Sequence, residues 1–176
     1  MKKFLNIRFL SLIGIIILAM LTRLLYHIPN VTPIMAIALF GAAYFSDKRL
    51  AFALPLLIMF ISDIIIGFHT TMLAVYISFA IGVFIGIYLL KSVTLGKIIL
   101  SSLLSSIVFF VVTNFGVWLA GWYSPTFDGL SKCYIMAIPF FRYEIIGDLV
   151  YCGVLFGGFA LAERYVPILT ESKQTI

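Results

Sequence analysis

Four polar side chains interrupt otherwise apolar stretches of this sequence. Asp63 breaks the run Phe60-Ile61-Ser62-Asp63-Ile64-Ile65-Ile66, and Asn114 stands in Val111-Val112-Thr113-Asn114-Phe115. Glu144 and Asp148 follow one another at one helical turn. An ionisable group inside a membrane span costs about 2.5–3.5 kcal/mol or more, so each needs a function or a partner. Asp63 and Asn114 lie deepest in their segments and read as ligand contacts or members of a buried network, with an Asp63–Arg23 ion pair as the structural alternative. Arg142 and Glu144 read as solvated charges at the headgroup level, where charge is cheap. Trp118, Trp122 and Tyr123 stand close in sequence to Asn114. Aromatic faces that stack on a flat solute, with Asp63, Asn114 and Asp148 fixing its polar edge, make a small-molecule site on the outer side of a membrane.

Other chemistries lack their residues. There is no phosphate-binding GxxxxGK[ST] loop, no GxSxG elbow and no HExxH pair. His27 and His69 flank apolar segments without ligand spacing, so no metal is expected. Cys133 and Cys152 form no metal or disulfide pattern and read as apolar side chains. An intramembrane enzyme using Asp63 or Asp148 needs a second catalytic group that the sequence does not single out. The chain is therefore read as non-enzymatic, with no catalytic residues and no cofactor.

The elements that position these groups must be membrane helices. Of the 176 residues, 63% are hydrophobic and 11% charged, against about 25% charged in an ordinary soluble domain. A mean hydropathy of +1.17 leaves too little polar surface for a water-soluble globule. The formal charge of +5 fits topological Lys and Arg rather than nucleic-acid binding. The basic start and apolar run of residues 1–21 resemble a signal peptide, but no small-residue cleavage site follows and the run is expected to stay as a span. Six apolar segments, about 9–27, 33–45, 50–67, 72–90, 98–120 and 145–163, predict an all-α, polytopic bundle in one domain over residues 1–176. Asn30-Val31-Thr32-Pro33 reads as a helix cap with Pro33 at the first helical position, and Ser46-Asp47-Lys48-Arg49 closes the short second segment. With both termini in the cytoplasm, nine of the twelve Lys and Arg fall inside and three, Arg23, Lys132 and Arg142, outside. Omitting the second segment destroys that bias.

The longest connection, residues 121–143, is too apolar for disorder and predicts an outer lid with a short helix ending before Pro139. Small residues recur four apart at Ala38/Ala42, Gly82/Gly86, Ser101/Ser105 and Gly153/Gly157, a spacing that lets membrane helices approach closely. Intramolecular packing is the ordinary use. The run Ala36–Ala43 is the best candidate for docking a partner membrane protein.

The runs Thr32-Pro33-Ile34-Met35-Ala36-Ile37-Ala38-Leu39-Phe40-Gly41-Ala42-Ala43-Tyr44-Phe45, Ser62-Asp63, Thr113-Asn114-Phe115-Gly116-Val117-Trp118 and Ile138-Pro139-Phe140-Phe141, with Pro55, resemble a family of uncharacterised six-helix bacterial membrane proteins. That family is similar to the substrate-binding S components of energy-coupling factor (ECF) vitamin transporters. The resemblance implies a bundle in the bacterial inner membrane that binds a small micronutrient in an outward-facing pocket. It also implies a partner, a membrane coupling protein driven by ATPase subunits and docked through an AxxxA face. Ala38 and Ala42 match that spacing, on the second segment rather than the first where the motif usually lies. A cargo-free assembly protein, whose small-residue faces bind partner helices, is the alternative.

Overall fold

A computed structural model describes residues 7–24 and 31–170, leaving aside the side chains of Arg23 and Leu24. The expected Asn30 cap and His27 lie outside the described residues, as does the Arg23 side chain expected to partner Asp63. Six α-helices follow in order: α1 (Ile7–Leu24), α2 (Ile34–Tyr44), α3 (Lys48–Ile66), α4 (Met72–Leu89), α5 (Leu95–Leu119) and α6 (Phe127–Tyr165). A single 3-10 turn, Pro167–Leu169, ends the described chain, and no strand occurs among the described residues. Four helices, α3 to α6, are long and apolar enough to cross a membrane.

α2 has only 11 residues, and Ile34 through Ala42 are all buried. It packs against α1, α3, α4, α5 and α6, so the short segment is the centre of the bundle rather than one of its walls. Its ends are fixed chemically. Pro33, at φ −78° and ψ −5°, leads into the first turn, and its carbonyl accepts from Ile37 N at 2.8 Å. At the other end Lys48 Nζ donates to the carbonyls of Ala42 and Phe45, both at 2.9 Å, placing a cation on the last turn's free acceptors. Asp47 caps α3 by accepting from Arg49 N at 2.9 Å.

Around α2 the packing is aromatic and close. The Phe40 ring meets Phe156 and Phe159 edge-on at 5.3 and 5.5 Å, and Tyr44 meets Phe159 at 4.7 Å. On the opposite side α4 presents Gly82 to Met35 and Gly86 to Ala42; a Cβ on Gly86 would lie 2.6 Å from the Ala42 methyl. Close approach requires glycine there. Gly153 and Gly157, by contrast, face open space on the outer side of α6. Arg8 ties the start of α1 to the end of α6, with Nη1 2.8 Å from Glu163 Oε1, a further bond to the Leu169 carbonyl and its guanidinium over the Phe159 ring.

The expected lid over residues 121–143 is a correction. α6 begins at Phe127 and runs unbroken through Pro139 to Tyr165, 39 residues or roughly 58 Å. Only a short turn joins it to α5. Thr126 Oγ1 accepts from Gly129 N at 3.1 Å as the N-cap, Asp128 occupies the first turn, and Lys132 pairs with Asp128 at 2.8 Å. Gly129 is needed because a Cβ would strike the Ser124 carbonyl. Pro139 removes one amide donor without ending the helix, as prolines do in membrane helices whose neighbours hold them.

Candidate functional site

α5 and α6 lie antiparallel, and the seam between them is polar. On α5, Ser101, Ser102, Ser105 and Ser106 recur at the spacing of one helix face, and all four are fully buried. The exposed positions of the same helix include Ile99, Leu100, Leu104, Ile107, Val111 and Phe115. The helix is thus inside-out relative to a soluble one, with apolar side chains outward and hydroxyls inward. α6 answers with Glu144, Asp148 and Cys152, one turn apart and all buried, while Ile146, Val150 and Val154 face out.

Ser106 Oγ stands 2.7 Å from Asp148 Oδ2 and 3.0 Å from the Ser102 carbonyl. A hydroxyl has one proton to donate, so these two acceptors compete for it. Cys152 lies close to both Ser102 and Asp148. The hydroxyls of Ser101, Ser102 and Ser105 and the Oε1 atom of Glu144 are buried without a hydrogen-bond partner. Neither Glu144 nor Asp148 has an ion-pair partner among the described residues. Buried polar atoms are ordinarily satisfied. The four do not form one cluster, since Ser105 Oγ lies against Gly82 of α4 while Glu144 belongs to α6.

Ser106 sits near the midpoint of the 25-residue α5, so its contact with Asp148 lies at mid-helix depth. The expectation that Asp148 and Glu144 begin the sixth span at its outer rim is therefore corrected. α6 starts 17 residues before Glu144, and both carboxyls are enclosed well along it. The solvated, headgroup-level reading of Glu144 falls with it.

The other expected residues occupy separate places. Asp63 is buried where α3 meets α4 and accepts from Tyr76 Oη at 3.0 Å. Asn114 is half-buried on α5; its Nδ2 donates to the Phe110 carbonyl one turn back at 2.8 Å, and its own carbonyl accepts from Cys133 Sγ at 3.3 Å. Trp118, Trp122 and Tyr123 come together. They line a cleft of about 400 Å³ at the α5–α6 turn, with Leu119, Gly121, Ser124 and Pro125. Trp118 Nε1 donates to the Ser124 carbonyl at 3.0 Å, which fixes the indole against the turn. That lining includes none of Asp63, Asn114 and Asp148.

Ala38 and Ala42 are buried inside the bundle, so neither methyl is available on an outer face. The surface that meets Ala42 is α4 of the same chain, at Gly86. The docking expectation for these two positions is corrected accordingly.

Sequence reasoning missed that Glu144 and the four α5 serines are all buried. The available signal was the pair of registers, two Ser-Ser steps four apart on one segment and Glu144, Asp148 and Cys152 four apart on the next. Among the described residues no group of three or more metal-ligating side chains is gathered.

The chain matches no curated protein and no solved structure. A family model described as a family of unknown function, DUF6580, covers residues 3–169. With nearly the whole length matched, the chain belongs to the DUF6580 family.

Proposed function

We propose that this protein is a membrane uptake component that binds a small organic solute of vitamin-like size among its helices. The observation that carries the reading is the buried polar seam, where Asp148 accepts from Ser106 at mid-helix depth and Glu144 Oε1, one turn away, has no partner among the described residues. Polar groups in a hydrocarbon setting are expensive, and those facing the interior of a bundle characteristically lie on solute paths. Asp148 is the principal anchor. The aromatic cleft of Trp118, Trp122 and Tyr123 is a stacking surface that a solute would meet at the outer end of α5. Asp63 and Asn114 are secondary contacts, since each is already engaged, with Tyr76 and with the Phe110 carbonyl.

The architecture in this reading is that of an ECF-type S component: six helices in the bacterial inner membrane, both termini cytoplasmic, cargo taken from outside. The chain has no phosphate loop, so ATPase subunits acting through a membrane coupling protein supply the energy. That coupling protein docks elsewhere than on Ala38 and Ala42.

Native mass spectrometry of the protein solubilised from its own membrane tests the reading. A small molecule released on denaturation, and bound at least tenfold more weakly by Asp148→Asn, is the expected result. A protein that carries no solute while retaining partner helices would instead establish the cargo-free assembly role.

A further inference from the structure

Resting on the uptake reading, the aromatic cleft at the α5–α6 turn admits a narrower statement about what it takes. We infer that Trp118, Trp122 and Tyr123 form a binding site of their own, separate from the polar seam, for a flat aromatic ring that carries no negative charge.

The turn is held in shape from both sides. Gly121, at φ +80°, takes the left-handed conformation that swings the chain away from the end of α5. The Ser124 carbonyl then accepts from Trp118 Nε1 at 3.0 Å and from Thr126 N at 2.8 Å. That carbonyl lies where a Cβ on residue 129 would collide, so Gly129 lets the turn seat against α6. Hydrogen bonds fix one wall and close packing the other, and a ligand meets a preformed surface. Separation from the seam follows from length. Trp118 stands twelve residues beyond Ser106 on α5, about 18 Å along the helix, so a small ring held at the turn does not touch Asp148.

What the cleft offers is ring faces. The Ser124 carbonyl already accepts twice, and its hydroxyl lies 3.2 Å from Thr126 Oγ1. None of the seven lining residues is charged, and the next charges along the chain, Asp128 and Lys132, pair with each other at 2.8 Å. Trp118 rests on Phe115, with ring centroids 5.6 Å apart, whereas Trp122 and Tyr123 make no ring contact among the described residues. A tryptophan that only anchors a helix in the headgroup layer keeps its N–H for that layer; that of Trp118 is spent on the turn. An aromatic face is the negative part of a quadrupole. It attracts the edge or offset face of another ring, attracts a cation and repels an anion. An anion would also lose its hydration with no positive group to replace it.

The test uses the full chain in dodecyl maltoside micelles. Both tryptophans of the chain line the cleft, so tryptophan emission reports on it directly. Four probes of similar size are titrated: benzamide, benzamidinium, benzoate and cyclohexanecarboxamide. Benzamide and benzamidinium are expected to change the emission saturably. Benzoate, which has the ring and the wrong charge, and cyclohexanecarboxamide, which has no aromatic ring, are each expected to bind at least tenfold more weakly. Tyr123→Ala keeps both reporters and weakens benzamide at least fivefold, while Tyr123→Phe restores it. Responses that stay linear for all four probes overturn the proposal, as does benzoate or the saturated amide binding as well as benzamide. Undiminished benzamide binding in Tyr123→Ala does the same. The two readings also fail separately. A native solute released in mass spectrometry from a protein whose emission ignores all four probes removes the cleft site and spares uptake; saturable ring binding in a protein that carries no native solute does the reverse.

Discussion

The seat of α2 and the α5–α6 seam are both buried, yet they are filled by opposite rules. Around α2 every position is occupied to contact: aromatic rings meet edge to face near Phe40, and glycines on α4 stand where a methyl would collide. Along the seam the residues are as deeply buried, but several polar atoms are left short of partners. Dispersion and close packing hold the first region together and leave nothing for a ligand to add. The second forgoes stability at several oxygens, each costing roughly 1–3 kcal/mol when it is left unsatisfied. A region that carries such a penalty is where bound solute gains most. The difference separates a part of the bundle held by packing from a part left short of hydrogen bonds.

Substitution can break this contrast at either end. The largest effect is expected from Phe159→Ala, which removes the ring shared by Phe40, Tyr44 and Arg8. Thermal unfolding in detergent should show a loss of about 3–5 kcal/mol. Next comes Gly86→Ala, whose new methyl meets Ala42; overpacking of this kind costs about 1–3 kcal/mol. Full stability in that variant would mean that α2 and α4 separate easily, and the description of α2 as a tightly enclosed core would fail. Smallest is Ser102→Ala in the empty protein. Its hydroxyl makes no hydrogen bond, so the change should stay within about 0.5 kcal/mol or stabilise. Under the proposed uptake role the same variant should bind its solute more weakly, and that pairing of silent stability with altered binding sharpens the comparison most.

The helices themselves were legible because their signals are local. Pro33 at the start of α2, the Asp47-Lys48-Arg49 cluster after it, and the apolar lengths of α3, α4 and α5 place those elements within about three residues of expectation. α6 was half-read. Pro139 and the Trp122-Tyr123-Ser124-Pro125 turn suggested a lid, whereas Thr126 and Asp128 start a helix that the proline does not stop. The serines of α5 were legible as small residues and not as a polar face. In a soluble helix the exposed polar stripe shows which side is buried. A helix that is apolar almost all round gives no such cue, so its inward side is fixed only when neighbours are in place.

Sequence alone determined that this chain is a set of long apolar helices, where most of them begin and end, and that a few acidic groups lie within them. Those properties depend on composition and on capping residues a turn or less away. Tertiary structure decided that the shortest helix is the core, that Ala38 and Ala42 are spent on it, and that Asp148 meets Ser106 halfway along α5. Each of these depends on how one helix is rotated and slid against another. That choice is made by the summed packing of the whole bundle and is written in no single segment.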